Sequence, residues 1–418
     1  MYQFIENLTK EEYENFVYNH ERRHFMHSYQ WGEVQKYKKF TPYYVGIKKD
    51  NILVATALLL EKKVLKKYGY IYIPRGYVID YKDRELLKYF TNEIKNFTKN
   101  KHNFFFRIDP DIKLQNIDEN ANPIEGDNNF DIVNNLKSIK YKHKGFNKNF
   151  ENSQPRYTYR LKLSDNIEEV YKNFHATTRK VLNKKNQYNL DIYKGNIDDI
   201  ESFYLTMKET AKREGIIQAP IKYYENFYNI LNKTDMSNIY IVKVKINDLI
   251  NTYENKINQV KLDINKIKEQ AQSNEKKSKN TISDLEKQLS KLIEEEKEIK
   301  NIQEKEIILS SIITVNYNDY VWTVHGGNNS MLRWLNANYL IYYEIIKDAV
   351  ENSSTMIDFF GTTGNPDPKN PVYGIHLFKK RLGGEYTEFI GEFDYVTKPL
   401  LYKLYNMYIK VKRVKKWK

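Results

Sequence analysis

A long polar helical repeat stands between two strand-like segments of this chain. From Leu249, apolar residues recur at Tyr253, Ile257, Val260, Ile264, Ile267 and Ala271, in steps of three or four that build a heptad-like seam on one helical face. A second run, Ile282, Leu285, Leu289, Leu292 and Ile299, follows a polar link at 273–280, and Thr281 with Asp284 three positions on reads as its helix start. The pair predicts an antiparallel coiled-coil hairpin over 246–307. Neither run has an apolar back face to join a globular core, so the hairpin is expected to project into solvent as an arm about 35 Å long at ~1.5 Å per residue. Its tip carries Lys276, Lys277 and Lys279. Two readings stay open there: contact with RNA or a partner, or a solvated spacer.

The strand-like segments flanking the arm, 238–245 and 307–315, become a hairpin once it is taken out. The same order of elements stands near the N-terminus. An early helix precedes strands at 43–47 and 52–58, then come a strand at 69–73, a helix at 84–100 and a strand at 104–108. The second half repeats it, with helical 167–183 and 198–214, the arm-split hairpin, a strand at 319–324, a helix at 337–351 and a strand at 356–360. The expected fold class is α+β, two acyltransferase-type units at 1–150 and at 151–245 with 308–394. A C-terminal segment of about 395–418 can pack on the first unit. Duplication of this kind creates a cleft between units, where ligand sites preferentially form.

Composition narrows the function. The 418 residues, 40% hydrophobic, suffice for a sizeable core in two or three domains. No cysteine occurs, which excludes disulfides, thiolate nucleophiles and cysteine-ligated zinc and suits a reducing cytosol. The longest apolar stretch, 52–60, falls far short of the roughly 20 residues of a spanning helix, and the first residues lack the pattern of a secretory signal. A soluble, cytoplasmic protein is expected. The net charge of +14 favours polyanionic partners, although the Lys, Asn, Ile and Tyr bias of an AT-rich genome yields the same excess without selection for binding. The basic tail from Lys410 to Lys418 reads as a peripheral contact with the inner face of the membrane or as a frayed terminus. His175, His325 and His376 show no paired ligand spacing, so no metal is expected, and Gly326-Gly327 and Gly383-Gly384 read as turns.

Several ordered motifs resemble one family. Gln30-Trp31-Gly32 with Lys36 behind it, Gly69-Tyr-Ile-Tyr-Ile-Pro-Arg-Gly76 and Arg107-Ile-Asp-Pro110 resemble the first unit of the Fem family of non-ribosomal peptidyl transferases. Asp358-Phe-Phe-Gly361, Tyr373-Gly-Ile-His-Leu-Phe-Lys379 and Gly391-Glu-Phe-Asp394 resemble that family's C-terminal signature in order and spacing. The arm sits where FemA-like members carry theirs. The resemblance covers nearly the whole chain, and its specificity lies in the ordered set. It implies two tandem GNAT-like units, an aminoacyl-tRNA donor, and a peptidoglycan precursor, lipid II or UDP-MurNAc-pentapeptide, as acceptor. No cofactor is expected, and homo- or hetero-oligomers with other Fem proteins are open.

One departure from ordinary acetyltransferases agrees with that donor. Coenzyme A pyrophosphate is held by a glycine-rich turn at a helix N-terminus, where backbone N–H groups approach the phosphates closely. The corresponding helix starts read Arg333-Trp-Leu-Asn-Ala-Asn338 and Asp80-Tyr-Lys-Asp83, whose side chains are too large for that cradle.

Attack of an amine on an aminoacyl ester starts from an activated donor, and needs positioning, amine deprotonation and stabilisation of a developing oxyanion. Matched to the family's Phe-Lys pair, Lys379 is expected as the cation near the aminoacyl carbonyl, with Phe378 shaping the pocket for the terminal adenosine. The alternative is a surface lysine opening the run Lys379-Lys380-Arg381. The resemblance to FemX-like members implies Lys36 at the precursor's diphosphate; the alternative is an ordinary exposed helix lysine among Lys36, Lys38 and Lys39. Arg213 looks like the family's second phosphate contact, with Thr210 on its face at i−3; a helix-terminal salt bridge explains it as well. Asp109, at a strand end, can orient the acceptor amine or take its proton, but Asp before Pro is also a stock turn former. Tyr223, Tyr224 and Tyr373 are candidates for the lining, among 36 tyrosines that mostly pack. The expected activity is transfer of Gly, Ala or Ser to the stem-peptide amine to build the interpeptide bridge. The alternatives are an inactive coiled-coil adaptor that binds RNA or a partner, and an acetyl-CoA-dependent N-acetyltransferase.

Overall fold

The apolar run in the strand Ile52–Leu65 is continuous rather than alternating because both of its faces are covered. Ala55, Ala57 and Leu59 point into a core with the amphipathic helix Arg84–Asn100, whereas Leu58 and Leu60 point into a second core shared by both halves of the chain. The computed structural model describes residues 1–270 and 275–416, without side chains at 270, 275–277 and 411–416. In the other half, Tyr240 and Val242 face the local core while Ile239, Ile241 and Ile313 face the shared one. Three apolar layers result. The middle one is filled by helices from both halves, with Trp31 edge-on to Phe25 and Phe227.

Two mixed sheets flank that layer. The first runs Tyr2–Ile5, Thr41–Lys49, Ile52–Leu65, Tyr68–Ile73, Asn103–Ile108, Phe393–Val396, Lys142–His143. The second runs Asp191–Gly195, Ser237–Lys245, Glu306–Tyr317, Tyr320–Asn328, Met356–Thr362, Tyr157–Lys162, Glu385–Phe389, Lys113–Ile117, Pro123–Asn128. Each has one parallel pair, Tyr68–Ile73 with Asn103–Ile108 and Tyr320–Asn328 with Met356–Thr362, bridged by the helices Arg84–Asn100 and Ala337–Glu351. The expected α+β unit therefore occurs twice in tandem. The boundaries differ from those expected at 150 and 394. Residues 113–128 of the first half extend the second sheet, and Phe393–Val396 inserts into the first between Asn103–Ile108 and Lys142–His143.

The arm consists of Ile246–Gln270 and Glu275–Lys300, inserted between paired strands at Lys245 and Glu306. Its second helix begins at Glu275, so Thr281 is an interior residue and not the cap expected from its sequence. The foot of the arm also departs from the expected free projection. Leu249, Tyr253 and Ile299 are buried in the second unit's core, Trp334 donates its indole N–H to the Tyr253 hydroxyl at 2.9 Å, and Tyr188 stacks on Tyr253. The seam that pairs the two helices thus also serves the body at its base. Lys279 is exposed near the tip, while the side chains of Lys276 and Lys277, and those of the tail beyond Lys410, lie outside the described residues. No helix among the described residues is long and apolar enough to cross a membrane.

Candidate active site

The strand Met356–Thr362 ends in a distortion that builds the floor of a cleft. Its pairing with Tyr157–Lys162 shifts register between Asp358 and Gly361, and Phe360 adopts φ +61°, a left-handed conformation that costs an aromatic residue on the order of 1–3 kcal/mol and tends to mark functional sites. Gly361 is needed beside it, since a Cβ there would lie 2.4 Å from Pro155. The distortion leaves two carbonyls free of the ladder. Lys379, on the buried face of the helix Tyr373–Arg381, donates to both, to Phe360 O at 3.0 Å and Gly361 O at 2.6 Å. It is 8% exposed, and this burial pushes its ammonium down to about 7, opposed by the nearby Asp358 carboxylate. Asp358 is itself held by Thr158 and by Arg160 Nε at 2.9 Å. Lys379 is therefore a buried, positioned amine and not the surface residue that its basic neighbours suggested.

The helix Ile200–Glu214 supplies the facing wall. It lies so close to the strand Tyr320–Asn328 that a Cβ on Gly327 would fall 2.5 Å from the backbone of Thr206 and Met207. Gly326-Gly327, expected as a turn, is strand, and its second glycine is a helix seat. This contact sets Thr210 on Asn328, accepting from its N–H at 2.8 Å and donating to its carbonyl at 3.2 Å, and Arg213 donates to the same carbonyl at 3.2 Å while pairing with Glu214 at 3.0 Å. Thr210, Arg213, Phe378 and Lys379 line one cleft of about 470 Å³, joined by Arg333. Phe378 is wedged edge-on between Tyr339 and Tyr342.

A second cleft of about 340 Å³ shares the wall residues Val324 and Phe360 with the first and opens toward the other unit, past Tyr72, Gln154, Lys38 and Tyr223. Beneath it, Asp109 accepts from the Tyr72 hydroxyl at 2.7 Å and from the Arg75 N–H at 2.6 Å. Burial raises the Asp109 carboxyl to about 7, against the opposing pull of Arg75. Lys379 thus lines the first cleft, whereas Asp109 lines neither and meets the second through the Tyr72 hydroxyl.

Other candidates stand apart. Lys36 is half exposed and pairs with Glu33 at 2.7 Å; it lines neither cleft, whereas Lys38, two residues on, lines the second and lies over the Tyr223 ring at 4.4 Å. Tyr224 packs on Phe203 and His325, and Tyr373 stacks on His376, so of the three tyrosines only Tyr223 reaches a cleft wall. Tyr72, Lys38, Asn328 and Arg333 escaped the sequence reading. Tyr72 lies within the glycine-tyrosine string 69–76, and Arg333 opens the helix start whose bulk speaks against a coenzyme A cradle.

The same framework explains two of the motifs. Arg107 pairs with Asp394 through two bonds of 2.7 and 2.9 Å and with Glu392 at 3.2 Å, which couples the Arg-Ile-Asp-Pro string to the Gly-Glu-Phe-Asp string.

Comparison with known proteins agrees with this architecture. The FemAB family pattern matches residues 8–410. The lipid II:glycine glycyltransferase of Staphylococcus haemolyticus (strain JCSC1435) is 26% identical over 405 residues, covering 95% of this chain and 94% of that protein. The protein of the same name from Staphylococcus aureus (strain COL) is 27% identical over 407 residues, again covering 95% and 94%. The crystal structure of FemX superposes with a TM-score of 0.75 at 26% identity, over 96% of this chain and 99% of that one. On the family match over nearly its whole length, together with the shared fold, the chain belongs to the FemAB family.

Proposed function

We propose that this protein transfers an amino acid, glycine in the first instance, from aminoacyl-tRNA to the amine of a peptidoglycan stem peptide carried on lipid II. The observation that carries this reading is the buried ammonium of Lys379 in one cleft, separated by Phe360 from a second cleft above the Tyr72–Asp109 pair. The naming of relatives as lipid II:glycine glycyltransferases supports lipid II over the soluble nucleotide precursor, and glycine over alanine or serine. A lipid-linked acceptor brings the protein to the membrane surface peripherally.

In this reading the donor's 3′ end enters the Lys379 cleft, with Phe378 against the terminal adenosine, and the acceptor peptide enters the Tyr72 cleft. The acceptor nitrogen attacks the ester carbonyl to form a C–N bond, and the carbonyl electrons move onto oxygen. Lys379, held by two carbonyls, keeps a third N–H for that oxyanion in a site of low dielectric. The nitrogen's proton passes to the Tyr72 oxygen as the Tyr72 proton passes to Asp109; the oxyanion electrons then re-form the carbonyl as the ester C–O bond breaks, and the ribose oxygen takes the proton that Asp109 returns through Tyr72. Lys36 and Tyr373 have no part in these steps.

The test is reconstitution with lipid II and charged tRNA, followed by mass spectrometry of the product. Extension of lipid II by one glycine from glycyl-tRNA is expected. Absence of product with glycyl-, alanyl- and seryl-tRNA alike would overturn the proposal, and coenzyme A binding by calorimetry would favour an acetyltransferase instead.

A further inference from the structure

A larger cavity, of about 720 Å³, lies away from both clefts, between the foot of the arm and the segment that begins with the helix Ala176–Leu182. Five lysines line it against two carboxylates. Both carboxylates are engaged, Glu295 by the Tyr253 hydroxyl at 2.9 Å and by Lys291 at 3.7 Å, and Asp263 by Gln259 at 2.9 Å. Lys180 and Lys184 are exposed and, among the described residues, neither forms an ion pair. Lys256 sits 3.7 Å over the Tyr188 ring, and burial together with the charge of Lys184 holds its ammonium below the usual lysine range. An excess of like charge gathered in a concavity, five ammonium groups against two carboxylates, is unfavourable for the fold alone, and creates the focused positive potential that receives an anion.

The cavity also leads somewhere. Asn336 lines both it and a smaller cavity of about 200 Å³, which Arg213 and Arg333 share with the Lys379 cleft. The three follow one another around the loop at 329–338, with cationic side chains along the whole course.

We propose that the cavity at the foot of the arm is a phosphate-backbone site for RNA, holding the body of a tRNA whose 3′ end reaches the Lys379 cleft along this course. The direction of the strand rests on the transfer reading above; the site itself rests on the unpaired lysines. Ammonium groups spaced along a groove suit successive phosphates, and the half-buried Trp334 at the wall offers a face to a base or ribose. A walled groove suits a strand rather than a flat lipid surface.

The test compares the full-length protein with Lys180→Glu/Lys184→Glu and with Lys180→Arg/Lys184→Arg, all checked for fold by circular dichroism. Uncharged tRNA is titrated by fluorescence anisotropy over a range of salt. Loss of two phosphate contacts is expected to weaken binding by about tenfold or more and to reduce the log–log salt slope by about 1.5, with the arginine variant close to wild type. Transfer is then followed from full-length charged tRNA and from a short aminoacylated CCA oligonucleotide. The glutamate variant should raise KM for the former by about tenfold and leave the latter unchanged, since the short donor does not extend to the arm. Unaltered tRNA affinity in the folded glutamate variant overturns the site, as does loss of binding to phosphatidylglycerol vesicles with tRNA affinity intact. If wild type transfers from neither donor the transfer reading falls, and the anisotropy still decides the cavity.

Discussion

At the scale of single residues, burial gives Lys379 and Asp109 opposite displacements that meet near neutrality, about 7 for each. Oxyanion stabilisation requires Lys379 protonated, so the rate should fall as pH rises through its value. Proton acceptance requires Asp109 ionised, so the rate should rise through its own. A bell-shaped kcat/KM profile centred near pH 7 is expected. Lys379→Arg should remove the alkaline limb while keeping part of the rate, and Lys379→Ala should lower kcat by about 10²–10³, the range for loss of one oxyanion donor. A profile of Lys379→Arg identical to wild type would refute the role. Stability carries an independent signature of the same burial. Lys379 is lowered from 10.5 to about 7, so between these values the unfolded chain binds more protons than the native one, and stability rises with pH across that window. Urea melts at pH 7.5 and 9.5 should show wild type gaining about 2 kcal/mol relative to Lys379→Met.

Among elements, those with a strong period were legible in the sequence and those defined by contact were not. The helices Arg84–Asn100 and Ala337–Glu351 fall on their expected residues, because amphipathic spacing is local. The register shift at Phe360 and the carbonyls it offers to Lys379 have no local signature, since a left-handed aromatic residue is imposed by tertiary packing. Lys36 and Lys38 are indistinguishable as letters, and which one faces the cleft depends on how the helix Tyr29–Tyr37 ends. The arm shows both cases. Its heptads were plain, but that Tyr253 would serve Trp334 and Tyr188 as well as the seam was not. Shortening the arm beyond Ile264 and Leu285 should therefore leave the melting temperature within about 2 °C of wild type. Replacing all of 246–305 by an Asn-Gly turn preserves the Lys245–Glu306 pairing but strips the cover from Trp334, and should lower the midpoint by about 5 °C or more. Equal melting of the two deletions would show that the foot contributes no packing.

For the whole molecule, duplication of a unit does not make the units independent. Phe393–Val396, which closes the first sheet, arrives after the entire second unit, and pairs with Asn103–Ile108 while Arg107 holds Asp394. In the other direction Lys113–Ile117 pairs with Glu385–Phe389. The shared middle layer adds Trp31 and Phe25 from one half against Phe227 and Trp322 from the other. A fragment of residues 1–150 would leave the ladder edge of Asn103–Ile108 open and the buried faces of Leu58, Leu60 and Trp31 in water, a combination that favours aggregation over folding. A fragment of residues 151–418 would keep a C-terminal strand with no sheet to enter. Neither fragment, expressed alone, should give a dispersed amide proton spectrum or a cooperative urea transition, whereas the full chain should unfold in coincident transitions by fluorescence and circular dichroism. A folded, monomeric 1–150 fragment would show that the exchanged strands are decoration. Its failure, with recovery of the native spectrum when both fragments are refolded together, would show that the cleft between the units forms only as the whole chain folds, so that Asp109 and Lys379 acquire their shifted protonation in the same event.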